Sequence, residues 1–205
     1  FCLTVLKVWD DDNNRDGLRP DSITVRLLAN GETAAYADGT EVADVELSED
    51  NNWVGMVMGL PIMADGEAIE YSWIEIDEPE GYEVEITPDT VDETRITTIT
   101  NSHAPEETQI TVTKVWDDAD DQDGIRADAV TVELLADNVP TAQATLNEAN
   151  DWTYTFENLP VKAEGEDITY TVREINAPEG YTVAVDGDAE EGFTVTNTHE
   201  PETVE

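Results

Sequence analysis

Four phrases occur twice in this chain and in the same order. Lys7-Val-Trp-Asp-Asp returns at Lys114, Asp16-Gly-Leu-Arg at Asp123-Gly-Ile-Arg, Pro79-Glu-Gly-Tyr at Pro178-Glu-Gly-Tyr, and Thr100-Asn-Ser-His at Thr196-Asn-Thr-His. A repeat of about a hundred residues is long enough for each copy to bury a core of its own, so the chain is expected to fold as two similar domains, residues 1–104 and 105–205. The join near Ala104-Pro105-Glu106-Glu107 is echoed by His199-Glu-Pro-Glu-Thr, which leads us to expect an excised segment with a further domain after it. The offset between copies is 107 at the lysines (114 − 7), 99 between Glu75 and Glu174, and 96 between Asn101 and Asn197. The first copy therefore carries insertions, chiefly near residues 30–50, where a loop or an extra hairpin is expected.

Within each copy, short segments alternate apolar residues with Thr, Ser or charged ones, and Gly, Pro, Asn and Asp separate them. Ile23-Thr-Val-Arg-Leu-Leu, Trp152-Thr-Tyr-Thr-Phe and Phe193-Thr-Val-Thr-Asn are examples. A period of two is the mark of a half-buried strand, and no segment has helical periodicity. The expected fold class is all-β: two tandem antiparallel β-sandwich domains, immunoglobulin-like, of roughly seven strands each.

The same alternation puts three polar residues where the core should be. Leu3, Val5, Lys7 and Trp9 share a face, as do Ile110, Val112, Lys114 and Trp116. A buried ammonium is costly unless something pairs with it, neutralises it or consumes it. Glu75 shares the apolar face of Ile69, Tyr71 and Trp73, and Glu174 that of Ile168, Tyr170 and Val172. Asn101 falls in phase with Ile99, and Asn197 with Phe193 and Val195. Each domain thus aims one Lys, one Glu and one Asn inward, from its first, a late and its last strand.

Taken together, the opening Lys-Val-Trp-Asp-Asp, the Tyr-x-x-x-Glu box running into Pro-Glu-Gly-Tyr and the closing Thr-Asn-x-His resemble the collagen-adhesin B-type (Cna-B) domains of Gram-positive surface proteins and pili. The resemblance spans both halves nearly end to end. It implies a spontaneous intramolecular isopeptide bond between first-strand Lys and last-strand Asn, assisted by the acidic residue of the box. Carried over residue by residue, that is Lys7 to Asn101 with Glu75, and Lys114 to Asn197 with Glu174. Burial favours a neutral amine, which is a nucleophile, and a neutral carboxyl able to hydrogen-bond the carboxamide and relay protons. The alternative is a buried Lys-Glu-Asn cluster that stays uncondensed. The resemblance further implies a stalk or spacer on the cell surface or wall, with neighbouring domains of the same protein as partners. No cofactor and no turnover enzymology are implied beyond one self-reaction per domain.

Charge narrows the other readings. The formal net charge is −40, from 49 acids against 9 bases, and it is shared almost equally by the two halves. Such a field repels nucleic acid and anionic membrane. No apolar run is long enough to span a bilayer. Carboxylates at alternate positions before a glycine suit calcium, so Asp12, Asn14 and Asp16, with Asp121 and Asp123, are the candidate metal donors. Ala119 at the first ligand position of the second loop, and Ile23 where the first loop would need its closing Glu, argue against a metal there. A ligand-binding adhesin would use the insertion near residues 30–50, yet no aromatic cluster or charge pattern names a ligand. A glycosidase with paired carboxylates is disfavoured, because chance pairs abound among so many acids; His103 and His199 sit in repeated domain ends, where a structural role is expected. Cys2 has no cysteine partner in the chain and is replaced by Gln109 in the second copy, which argues against a catalytic thiol. Lys162 is replaced by Met63 in the first copy, and no lysine motif for pilin polymerisation is evident.

Overall fold

Alternation becomes strand throughout the computed structural model, which describes residues 2–91 and 94–203. The chain divides into two compact units, Phe1–Pro105 and Glu106–Glu205. The first contains β1 (Cys2–Asp10), β2 (Ser22–Ala29), β3 (Glu32–Thr33), β4 (Val45–Ser48), β5 (Val54–Met58), β6 (Met63–Ala64), β7 (Glu67–Ala68), β8 (Tyr71–Ile76), β9 (Glu83–Val91) and β10 (Thr94–Ser102). One sheet has the order β5-β1-β10-β9; in the other, β2 pairs with β3, β4 and β8. The second unit contains β11 (Glu107–Asp117), β12 (Ala129–Ala136), β13 (Val139–Asn147), β14 (Thr153–Pro160), β15 (Lys162–Ala163), β16 (Glu166–Asp167), β17 (Tyr170–Ile175), β18 (Thr182–Asp188) and β19 (Gly192–Thr198). Its sheets run β14-β11-β19-β18 and β13-β12-β17, and β15 and β16 form a small hairpin.

The core of each unit is the set of inward residues from both sheets. Val5, Val25, Leu47 and Ile99 are fully buried in the first, and Ile110, Val132, Leu146 and Val195 in the second. The intervening Thr and charged residues face outward, which is the physical content of the period-two pattern. Gly55 is required where it stands. A Cβ there would lie 2.8 Å from Val45 Cγ1 and 3.0 Å from both Leu47 Cδ2 and Val5 Cγ1.

Among the described residues, pairing is antiparallel with one exception per unit. The first and last strands run side by side and parallel, with Lys7 opposite Ile99 and Trp9 opposite Asn101, and likewise Lys114 opposite Val195 and Trp116 opposite Asn197. Alternation reports which face a residue occupies but not the direction of its neighbour, so this pairing was invisible to the sequence pattern. Insertion near residues 30–50 takes the place of the single strand β13. β3 and β4 flank a loop closed by a bridge between Ala35 and Glu41, and the loop returns Ala34 and Val42 to the core.

Candidate functional site

Parallel pairing brings the first-strand lysine and last-strand asparagine onto adjacent strands, both turned inward, with the glutamate arriving from the opposite sheet. In the first domain Lys7 Nζ donates to Glu75 Oε2 at 3.1 Å, and Asn101 Nδ2 donates to Glu75 Oε1 at 2.8 Å. One carboxylate thus touches both other groups. Lys7 and Glu75 are buried, and Asn101 is fully so. Asn101 Oδ1 is buried without a hydrogen-bond partner. Burial pulls the Lys7 ammonium down from 10.5 to about 8, and the attraction of Glu75 and Asp11 only partly opposes it. The lysine therefore has a substantial neutral fraction just above neutral pH.

The second domain keeps the cluster but turns the lysine. Asn197 Nδ2 donates to Glu174 Oε1 at 2.9 Å, while Lys114 Nζ donates to the carbonyls of Val115 at 2.8 Å and Val195 at 3.4 Å. Glu174 Oε2 and Asn197 Oδ1 are buried and unpartnered. Burial again brings the lysine to about 8, against the pull of Glu174 and Asp118. Of the six residues that alternation points inward, the structure joins Lys7, Glu75 and Asn101 by hydrogen bonds, and Glu174 to Asn197, while Lys114 bonds to main-chain carbonyls beside them. The carbonyl contacts of Lys114 are a rotamer choice that alternation does not reveal.

Aromatic rings roof each lysine. Lys7 Nζ lies 4.3 Å from the centre of the Trp9 ring, and Lys114 Nζ 4.0 Å from that of Trp116. Trp9 packs edge-on against Trp53 at 5.3 Å and Tyr82 at 5.1 Å; Trp116 meets Trp152 and Tyr181 in the same way at 5.4 and 5.1 Å. Trp53 has φ +60° and Trp152 φ +56°, a strained conformation for so bulky a residue. The same turn aims the Trp53 and Trp152 carbonyls at the backbone N–H of Lys7 and Lys114, both at 2.8 Å.

The aspartate-rich loops lie beside this roof. Asp11, buried, accepts from Arg19 Nε at 3.0 Å and Nη2 at 2.6 Å, from Tyr82 Oη at 2.9 Å and from the Asn14 backbone at 3.0 Å. Asp118 has the same contacts with Arg126, Tyr181 and the Asp121 backbone. Burial pushes Asp11 up, but its hydrogen bonds outweigh that and hold it below the usual carboxylate range. Asp118 is held well below that range, chiefly by Arg126. These bonds stabilise a turn of three consecutive left-handed residues, Asp12-Asn13-Asn14 in one loop and Ala119-Asp120-Asp121 in the other.

The candidate metal donors are dispersed among other tasks. Asp12 pairs with Arg15 at 3.0 Å, Asn14 Oδ1 and Asp121 Oδ1 each accept the backbone N–H of Arg19 and Arg126 at 2.9 Å, and Asp16 and Asp123 meet His103 and His199 at 2.9 and 3.0 Å. Among the described residues no group of three or more His, Cys, Asp or Glu is arranged to hold a metal. Each histidine also meets a backbone carbonyl, of Gly81 at 2.8 Å or Gly180 at 2.9 Å. With an acceptor at both ring nitrogens, the doubly protonated ring satisfies both bonds, and the carboxylate and carbonyl raise both histidines above their ordinary value. Asp11, Arg19 and Tyr82 escaped the sequence reading. Their signal was present, since Asp11 and Arg19 recur as Asp118 and Arg126 at the lysine offset of 107, and Tyr82 recurs as Tyr181.

Both halves of the chain are similar in sequence to known proteins. The family described as Cna protein B-type domain matches residues 3–102 and 110–198. The collagen adhesin of Staphylococcus aureus is 41% identical over 198 residues, which is 96% of this chain and 15% of that protein, so the chain spans a small part of its relative's length. A crystal structure of a single B repeat unit (B1) of the collagen binding surface protein of Staphylococcus aureus is 39% identical, covering 98% of this chain and 99% of that one, with a TM-score of 0.46. A structure of two B repeat units (B1B2) of the same protein is 38% identical, covering 100% of this chain and 50% of that one, with a TM-score of 0.47. With both halves matched separately, the chain belongs to the Cna protein B-type domain family, as two tandem domains.

Proposed function

We propose that each domain locks itself with an amide bond, Lys7 to Asn101 and Lys114 to Asn197, and that the chain is a stalk or spacer segment of a cell-surface adhesin, working outside the cell. The observation that carries this reading is the Glu75 carboxylate, hydrogen-bonded at once to the lysine Nζ and the asparagine carboxamide in a buried site.

The chemistry follows from those contacts. Glu75 Oε2 takes a proton from the Lys7 ammonium along their hydrogen bond, leaving a neutral amine. A half-turn of the Asn101 carboxamide presents Oδ1 to the protonated carboxyl, whose proton stabilises charge there as Nζ attacks Cγ. The Nζ–Cγ bond forms and the Cγ–Nδ2 bond breaks. Nδ2, which already carries two protons, takes one from Nζ and one from Glu75 and departs as ammonium, and Glu75 returns to the carboxylate. Held strands make amine and amide effectively unimolecular reactants, supplying much of what an uncatalysed amide exchange lacks. In the second domain Lys114 must swing from the Val115 and Val195 carbonyls to Glu174, whose Oε2 is unpartnered.

The mechanical role rests on parallel pairing. A pull applied to the two ends of a domain enters at Cys2 and leaves at Ser102, so a bond between Lys7 and Asn101 carries the load past the rest of the sandwich. Family membership and the surface proteins among the relatives support the location. Intact mass tests the reaction. The chain is expected to weigh two ammonia molecules less than its sequence, and Glu75→Ala and Glu174→Ala each to restore one; full calculated mass would refute the proposal.

A further inference from the structure

We infer that the aspartate-rich loops are latches for the bond-forming sites: Asp11 with Arg19 and Tyr82, and Asp118 with Arg126 and Tyr181, fix Trp9 and Trp116 over the lysine Nζ, making these side chains positioning residues. The inference rests on the reaction proposed above and extends it beyond the Lys-Glu-Asn trios.

Three observations converge on it. First, the indole ring lies against the nucleophile, its centre 4.3 Å from Lys7 Nζ in one domain and 4.0 Å from Lys114 Nζ in the other. Second, two groups packed on that indole share one anchor. Tyr82 meets the Trp9 ring at 5.1 Å and Arg19 lies over it at 5.5 Å, and both are bonded to Asp11. Around Trp116 the corresponding groups are Tyr181 at 5.1 Å and Arg126 at 5.6 Å, both bonded to Asp118. Third, the loops differ in composition but not in this arrangement. Asp12-Asn13-Asn14 and Ala119-Asp120-Asp121 trace the same left-handed turn with different side chains, while Asp, Arg, Tyr and Trp recur.

The ring acts in two ways. Its face attracts the ammonium and so holds Nζ in one place. Its carbons keep water away, which favours the neutral amine. The indole Nε1 of Trp9 and of Trp116 is buried without a partner, so no hydrogen bond of its own fixes the ring. Orientation must come from packing, which the latched Tyr and Arg supply together with Trp53 in one domain and Trp152 in the other. The charged groups acting on Lys7 are Glu75 and Asp11, with Arg19 over the shared indole; those acting on Lys114 are Glu174, Asp118 and Arg126.

The test follows ammonia loss by intact mass after cell-free synthesis of the full chain, quenching into denaturant and refolding by dilution at a series of pH values. Second-domain loss serves as the clock within each molecule. Trp9→Leu is expected to slow first-domain loss roughly 10²-fold, as a small misplacement of reacting groups does, and to move the pH midpoint of the rate upward as water reaches Lys7. Trp9→Phe, which keeps a ring face, is expected to recover most of the rate. Tyr82→Phe removes only the hydroxyl bond to Asp11 and is expected to slow the same step, which decides the matter if Trp9→Leu does not fold. Unchanged rate and midpoint in Trp9→Leu, or equal impairment of the Leu and Phe variants, would overturn the inference; so would an unchanged rate in Tyr82→Phe. A wild-type chain that loses no ammonia would instead refute the underlying reaction.

Discussion

Replacing Asn101 by Ala removes the electrophile of the first domain and leaves the second untouched, so the two domains of one molecule should respond differently to force. β1 and β10 run parallel and in register from Leu3 opposite Arg95 to Asp10 opposite Ser102, so Cys2 and Ser102 start about 27 Å apart, the length of eight strand steps. Without the bond, all 100 steps between them (102 − 2) can be drawn out at about 3.4 Å each, and the molecule should lengthen by roughly 310 Å in one event. With the bond, the 94 positions separating Lys7 from Asn101 (101 − 7) are bypassed, and essentially nothing is released. Asn197→Ala should likewise release the 91 steps from Glu107 to Thr198 (198 − 107), a shorter gain of roughly 275 Å after the folded span of ten strand steps is subtracted. Single-molecule stretching between the chain ends reads these lengths directly. Absence of both steps in the native chain, one in each single variant and two in the double variant is the expected pattern. A native chain that yields either step would refute the argument that tension passes through the side-chain bonds.

Other consequences concern packing, protonation and metal. Gly55→Ala should destabilise the first domain by about 1–3 kcal/mol in denaturant unfolding, because the added Cβ meets Val45, Leu47 and Val5 inside ordinary contact distance; the second domain should be unaffected. By NMR titration, His103 and His199 should both ionise above the ordinary histidine value. Since the folded value is the raised one, their contribution is fully present at low pH and fades as pH rises through it. Normal titration of both rings would show that the contacts to Asp16 and Asp123 do not persist in solution. Calorimetric titration with calcium should give no saturable binding, because Asn14 and Asp121 are engaged within their own loops and Asp16 and Asp123 with His103 and His199; a stoichiometric, chelator-reversible heat would contradict that account.

Much of this site was legible because a strand obeys a period of two. Lys7, Glu75 and Asn101 stand out as polar residues in phase with Val5, Trp73 and Ile99, and a polar residue in that phase has to be buried. What alternation leaves out is everything set between strands. The parallel pairing of first and last strand depends on how the chain crosses between sheets. The aspartate-rich loops look like cation sites because spacing reports carboxylates without their counter-charges; Arg19 sits eight positions from Asp11, and Tyr82 arrives from 71 positions along the chain. In β12 the rule itself fails, since Leu134 and Leu135 are both buried where the pairing with β13 shifts register. The insertion was legible as extra length near residues 30–50, but not as a segment that returns Ala34 and Val42 to the core.

The bonds themselves offer the most direct test. Proteolysis of the native chain followed by fragmentation mass spectrometry should find the peptide containing Lys7 joined through Nζ to the peptide containing Asn101, and that of Lys114 joined to that of Asn197, each pair lacking one ammonia. Recovery of all four as linear peptides of full mass would contradict the account.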